Sequence, residues 1–301
     1  MTLLEVFKKN RPDLSQGSLR TYCSIIRNLA LQIEIPLETP ADVCKHYASI
    51  IKHLDDVPPK NRKTRLSALV VFIDKEKDSK QAVDAFRKQM MDDGKESDEI
   101  DMKQELTDRQ KQGMMTWDEI QSKYNELEKE VAPLMKKDKL DKKQFARVQL
   151  YVLLSCMLLI PPRRSLDWVA FKLRDIDTQK DNYLTVEKRK PYFVFNCFKT
   201  AKKTGQQKEE IPKKLHVILQ TWTKLNPYEW LLMNSTQSNK INATQLTNIL
   251  YQFFEKPLST SLLRHVYLSH KYKDVPALKD MVDTADKMAH SVEEALKYVK
   301  K

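Results

Sequence analysis

The sequence predicts a mainly α-helical protein with a small antiparallel β-sheet set into its second half. Three observations carry that expectation. Apolar residues recur at the helical period of about 3.6 over most of the chain, and a short stretch from Leu184 to Cys197 alternates with period two. The third is KESDEIDMKQELTDRQKQ, 95–112, with ten charged residues in eighteen and no aromatic, the composition of a linker or a solvated helix. It divides the chain into a helical domain at 1–94 and a second domain at 113–301.

Within 1–94, SLRTYCSIIRNLALQI follows the helical period and SALVVFI is a compact buried segment bounded by charges, with Pro58 and Pro59 breaking the chain between helices. The second domain opens on MTWDEIQSKYNELEKEVAPL, where Thr116 and Glu119 have the spacing of a capping box. VQLYVLLSCMLLIPP, closed by two prolines, reads as a buried helix and falls short of the roughly 20 apolar residues a membrane span needs. Leu184 and Val186, then Phe193, Phe195 and Cys197, read as strands, and Gly205 lies in a basic loop before a third short strand. Helices resume with LHVILQTW, ATQLTNILYQFF and SLLRHVYLS.

Composition narrows the function classes. Net charge is +12 with a sequence pI near 9.3, and 113–301 hold most of the excess with 33 basic against 22 acidic residues, so a polyanion is the expected partner. Only four glycines occur, so the glycine-rich loops that cradle nucleotide phosphates are absent. Cys23, Cys44, Cys156 and Cys197 show no CxxC spacing, which argues against a disulfide framework or a zinc site. The opening MTLLEVFKKNRPDLS lacks the order of a signal peptide, so an intracellular location is expected.

Four short stretches carry chemistry. Arg164 is followed by Asp167 at +3 and by Asp175 and Ile176 at +11 and +12; FKTAKKTG contains Lys199, Lys202 and Lys203; SLLRHVYLS contains Ser261, Arg264 and His265; and MAHSVEEALKYV contains His290 and Tyr298. In this order, with strands between the first and third, they resemble the boxes of the tyrosine recombinases, the integrase family of DNA strand-exchange enzymes. Ser261 stands where that family usually has a histidine, and Ala289 where it usually has a glycine. The wording also resembles recombinases of large eukaryotic DNA viruses and their mobile elements.

The resemblance implies a helical core-binding domain at 1–94 and an α+β catalytic domain at 113–301, clamped on double-stranded DNA and assembled as a homotetramer on paired sites. It implies Arg164, Lys199, Arg264, His290 and Tyr298 as catalytic residues, with Lys202 and Lys203 as DNA-phosphate contacts or alternatives for the lysine, and neither metal nor cofactor. A type IB topoisomerase uses a similar residue set, and a catalytically inactive DNA-binding relative is the further alternative. The chemistry is self-consistent: a tyrosine hydroxyl with a free pKa near 10 needs cations to favour the phenolate, and arginine forks match non-bridging phosphate oxygens. A covalent phosphotyrosine conserves bond energy, so rejoining needs no ATP.

Other residues carry plainer readings. Arg163 is expected as a phosphate or surface contact, His265 as a buried, hydrogen-bonded histidine, and Trp168 as core. Ser261 and Arg264 share a helix face away from Leu262, Leu263 and Val266. Ser291 and Glu294 have capping-box spacing, and Tyr298 falls to one side of the stripe Val292, Ala295, Leu296 and Val299.

Overall fold

The structure, a computed structural model, describes residues 2–287 and 291–293. It is mainly helical with one small four-stranded sheet. The chain divides into two compact units, one of residues up to Glu105 with the described residues from Pro276 on, the other Leu106–Val275.

The first unit contains α1 (Leu3–Asn10), α2 (Gln16–Ile33), α3 (Pro40–Lys45), α4 (Tyr47–Leu54), α5 (Pro59–Ile73) and α6 (Lys80–Met102). Its core gathers Phe7, Ile26, Leu29, Ile50, Leu66, Leu69, Phe72 and Phe86, all at or below 1% exposure. The SALVVFI segment is the buried half of α5, which Pro59 opens from its first turn, where a missing N–H costs nothing. Arg62 on α5 donates from Nε to the buried Asp93 on α6 at 2.7 Å and from Nη1 to the Asp55 carbonyl at 2.8 Å. Helix α6 continues through 95–102 because Phe86, Asp93 and Ser97 fall on one buried face.

The second unit contains α7 (Asp108–Gly113), α8 (Trp117–Val131), α9 (Lys142–Leu158), α10 (Ser165–Val169), β1 (Phe171–Lys172), β2 (Asn182–Glu187), β3 (Lys190–Phe195), α11 (Ala201–Thr204), β4 (Gln207–Glu210), α12 (Lys213–Leu225), α13 (Ala243–Phe254) and α14 (Thr260–Lys271). Helix α15 (Leu278–Lys287) follows and belongs to the first unit, the Leu278 N–H reaching Gln104 Oε1 at 2.9 Å.

Helix α9 is buried at every position from Val148 to Leu158, as expected of a segment with no polar face. The Thr116 and Glu119 capping box opens α8. The sheet order is β1-β2-β3-β4; β2, β3 and β4 are antiparallel, as expected, but β1 pairs with β2 in parallel, Phe171 opposite Asn182. The sheet is therefore mixed at this edge, where a two-residue strand is too short to show alternation in sequence. Cys197 falls beyond the end of β3 and is only partly buried. Trp168 of α10, fully buried, packs edge-on against Phe193 at 5.4 Å and Phe195 at 5.7 Å, which seats α10 on the sheet. No helix among the described residues is long and apolar enough to cross a membrane.

Candidate active site

Pro161 and Pro162 stop the chain leaving α9 from continuing as helix, and the two arginines that follow diverge. Arg163 turns inward. Its guanidinium lies 3.8 Å from the centre of the Phe195 ring, its Nε donates to Asp167 Oδ2 at 2.8 Å, its Nη2 donates to Gln207 Oε1 at 2.8 Å, and its Nη1 stands 3.7 Å from Glu209 Oε2. Expected as a phosphate or surface contact, Arg163 is instead an internal clamp between α10 and β4. Arg164 is exposed, and no hydrogen bond or ion pair holds its guanidinium among the described residues.

The second arginine comes from α14. Ser259 caps this helix, accepting from the Leu262 N–H at 3.1 Å, and Leu262, Leu263 and Val266 are buried, which turns Arg264 and Ser261 the other way. Arg264 is half-buried, and its side chain too has no hydrogen bond or ion pair among the described residues. The hydroxyls of Ser165 and Thr260 meet at 2.7 Å, joining the residue after Arg164 to the first turn of the Arg264 helix. Arg164 and Arg264, a hundred positions apart, thus line one cavity of about 300 Å³ with Arg163, Asp167, Phe198, Thr200, Gln207 and Glu209.

Two carboxyls share that cavity. Burial pushes Asp167 above the usual carboxylate range, against the opposing pull of Arg163, Arg164 and Arg264. Its Oδ1 is buried without a hydrogen-bond partner among the described residues. Glu209 is also raised by burial, against the pull of Arg163. Below them Asn182, fully buried at the start of β2, is satisfied four times over. Its Nδ2 donates to the Asp167 and Cys197 carbonyls, both at 2.8 Å, and its Oδ1 accepts from the Asn196 N–H at 2.8 Å and the Cys197 N–H at 2.7 Å. One amide therefore fixes the backbone of α10 to the segment that leads towards Lys199.

The remaining predicted residues are placed as follows. Lys199 is exposed in the turn after β3, between the cavity residues Phe198 and Thr200, and is not itself in the cavity lining. Lys202 and Lys203 are exposed on α11, so the connection between β3 and β4, expected as a basic loop, contains a helical turn. Ser261 is exposed. His265, expected as buried, is exposed as well, because the buried stripe of α14 runs through Leu262, Leu263 and Val266 and leaves position 265 outside it. Asp175 is exposed in the connection from β1 to β2, with Ile176 beside it. His290, Glu294 and Tyr298 lie outside the described residues, as does most of the stripe around Tyr298.

No protein-family model matches the chain, and no curated protein sequence matches it. A solved structure, the crystal structure of XerA recombinase, aligns with 91% of this chain and 85% of its own length, at 9% identity and a TM-score of 0.34. A likeness at that level transfers neither residue roles nor an activity.

Sequence reasoning missed Asn182, Gln207, Glu209 and Thr260. Asn182 opens a strand and reads as loop, and Gln207 and Glu209 sit in a polar run whose alternation is visible only once β4 is known. A larger cavity, about 700 Å³, lies among α9, α13 and the loop around 232–241 and contains none of the predicted residues. Chemically, the arginine cavity presents two guanidinium forks that no hydrogen bond or ion pair among the described residues engages, a geometry suited to a tetrahedral oxyanion.

Proposed function

We propose that the protein is a site-specific DNA recombinase that cleaves and rejoins DNA strands through a covalent 3′-phosphotyrosine. The observation that carries this reading is the convergence of Arg164 and Arg264, neither held by a hydrogen bond or ion pair among the described residues, on one small cavity. Arginines held for internal stability would be paired, as Arg163 is.

In this reading the two forks hold the non-bridging oxygens of the scissile phosphate and favour the charge of the transition state. Tyr298 gives its proton to solvent, its phenolate oxygen attacks phosphorus, the bond from phosphorus to the 5′-oxygen breaks, and Lys199 gives that oxygen its proton. The 5′-hydroxyl of a second strand then attacks the phosphotyrosine, returns its proton to the neutral Lys199, and releases Tyr298 as a phenolate that takes a proton from solvent. His290 contributes a further contact to the phosphate. Arg163, Asp167 and Asn182 position Arg164 without touching substrate.

The test is covalent trapping. Incubated with nicked duplexes carrying candidate element ends, the wild type is expected to leave a protein–DNA adduct on a denaturing gel, and Tyr298→Phe none. Arg164→Ala is expected to reduce adduct by about 100-fold or more, the scale of losing one transition-state donor. No adduct from wild type despite salt-sensitive binding would leave a DNA-binding protein. Adduct without strand exchange, with relaxation of supercoils, would point to a topoisomerase.

A further inference from the structure

We infer that Glu209 is an anion-contacting residue of the arginine cavity, whose carboxyl takes up a proton when a phosphate enters and then donates that proton as a hydrogen bond to a phosphate oxygen. The inference rests on the cavity being the phosphate site proposed above.

The argument begins with space and charge. A cavity of about 300 Å³ contains Arg163, Arg164 and Arg264, and also the carboxyls of Asp167 and Glu209. An anion bound by Arg164 and Arg264 lies within the same small, half-enclosed volume as both carboxyls, where like charges at such separations repel strongly. Arg163 screens the two carboxyls unequally. It donates directly to Asp167 at 2.8 Å but stands 3.7 Å from Glu209, and its third face is committed to Gln207. Asp167 is the better compensated of the two, so the proton goes to Glu209.

Among the described residues the surroundings offer no other compensation. Across from Glu209 on β3 is Phe193, which does not titrate. Its strand neighbours pair elsewhere, Lys208 with Glu187 and Glu210 with Lys190. From α10 and the residues before it come Arg163, Arg164 and Asp167, and from α14 comes Arg264. Burial already disfavours the charged form of Glu209 before any ligand arrives. A neutral carboxyl there is a donor, which turns a repulsive neighbour into a third contact.

The experiment is calorimetric titration of the full chain with sulfate, which does not titrate near neutral pH, at pH 7.5 in buffers of different ionisation enthalpy. The slope of observed heat against buffer enthalpy counts protons taken up. Wild type is expected to take up close to one proton per sulfate, Glu209→Gln close to none, and Glu209→Gln is expected to bind several-fold more tightly at pH 7.5 than wild type. Sulfate binding that is lost in Arg164→Ala but carries no proton uptake in wild type would overturn the role of Glu209 and leave the anion site standing. Uptake that persists in Glu209→Gln and disappears in Asp167→Asn would overturn it in favour of Asp167. Wild type that binds no sulfate, or binds it equally in Arg164→Ala and Arg264→Ala, would remove the anion site itself and the inference with it.

Discussion

Adjacent residues with identical side chains can have opposite fates, and Arg163 and Arg164 are such a pair. What separates them is not their chemistry but whether a carboxylate, an amide and an aromatic ring are already waiting, as Asp167, Gln207 and Phe195 wait for Arg163. Spacing singles out Arg164 because Asp167 follows at +3; no pattern in sequence shows that Arg163 spends its donors internally, since Gln207 and Glu209 are more than forty residues away. Asn182 is illegible for the same reason, its four partner groups coming from two segments, at 167 and at 196–197, each about fifteen residues away. Asn182→Ala leaves the Asp167 and Cys197 carbonyls and two backbone N–H groups without that partner. At roughly 1–3 kcal/mol for each group left buried and unsatisfied, the substitution is expected to cost about 3 kcal/mol or more. Urea unfolding followed by tryptophan fluorescence would measure it, and a loss below ~1 kcal/mol would mean that water replaces the amide.

At the scale of elements, periodicity served the helices well. The apolar stripes of α2, α12, α13 and α14 are the buried residues of each. The same wheel that turns Arg264 outward also turns His265 outward, so the buried reading of His265 was correctable from sequence. The edge strand β1 was not legible, because two residues carry no period.

Glycines inside helices separate packing from propensity. A Cβ on Gly113, near the end of α7, would stand 2.6 Å from the Pro257 carbonyl oxygen and 2.7 Å from Leu262 Cδ2, so neither backbone nor a buried leucine can yield cheaply. A Cβ on Gly94, mid-helix in α6, would meet only the tip of Lys63 at 3.4 Å. Gly113→Ala is therefore expected to destabilise by about 1–3 kcal/mol through overpacking, beside the helix that carries Arg264. Gly94→Ala is expected to stabilise by about 0.5–1 kcal/mol through helix propensity. Opposite signs in thermal unfolding would confirm the geometry; the same sign for both would refute it.

For the molecule as a whole, the dependence of stability on pH is set by carboxyls shifted in opposite directions. Glu119, capping α8, is held low by hydrogen bonds from Thr116, and Glu130 is held low by its two-pronged pairing with Arg147. A depressed carboxyl contributes stability above its unfolded pKa, near 4.3 for Glu, and that contribution is lost as pH falls through the folded value. Asp167 and Glu209 act the other way. With folded values raised by burial, the native state binds more protons than the unfolded chain just above pH 4, so their ionisation removes stability as pH rises through that window. Above it the penalty is complete and constant. Glu209→Gln takes the penalty away, so the variant is expected to melt above wild type at pH 7 and to lose that advantage below about pH 4, where wild-type Glu209 is protonated in both states. Paired melting curves from pH 3.5 to 7.5 are sufficient. A difference that does not change with pH would mean that Glu209 ionises as an ordinary surface carboxylate. Convergence at low pH would mean that the cavity holds its acids under strain for its arginines to use, a destabilising arrangement that packing alone gives no reason to retain.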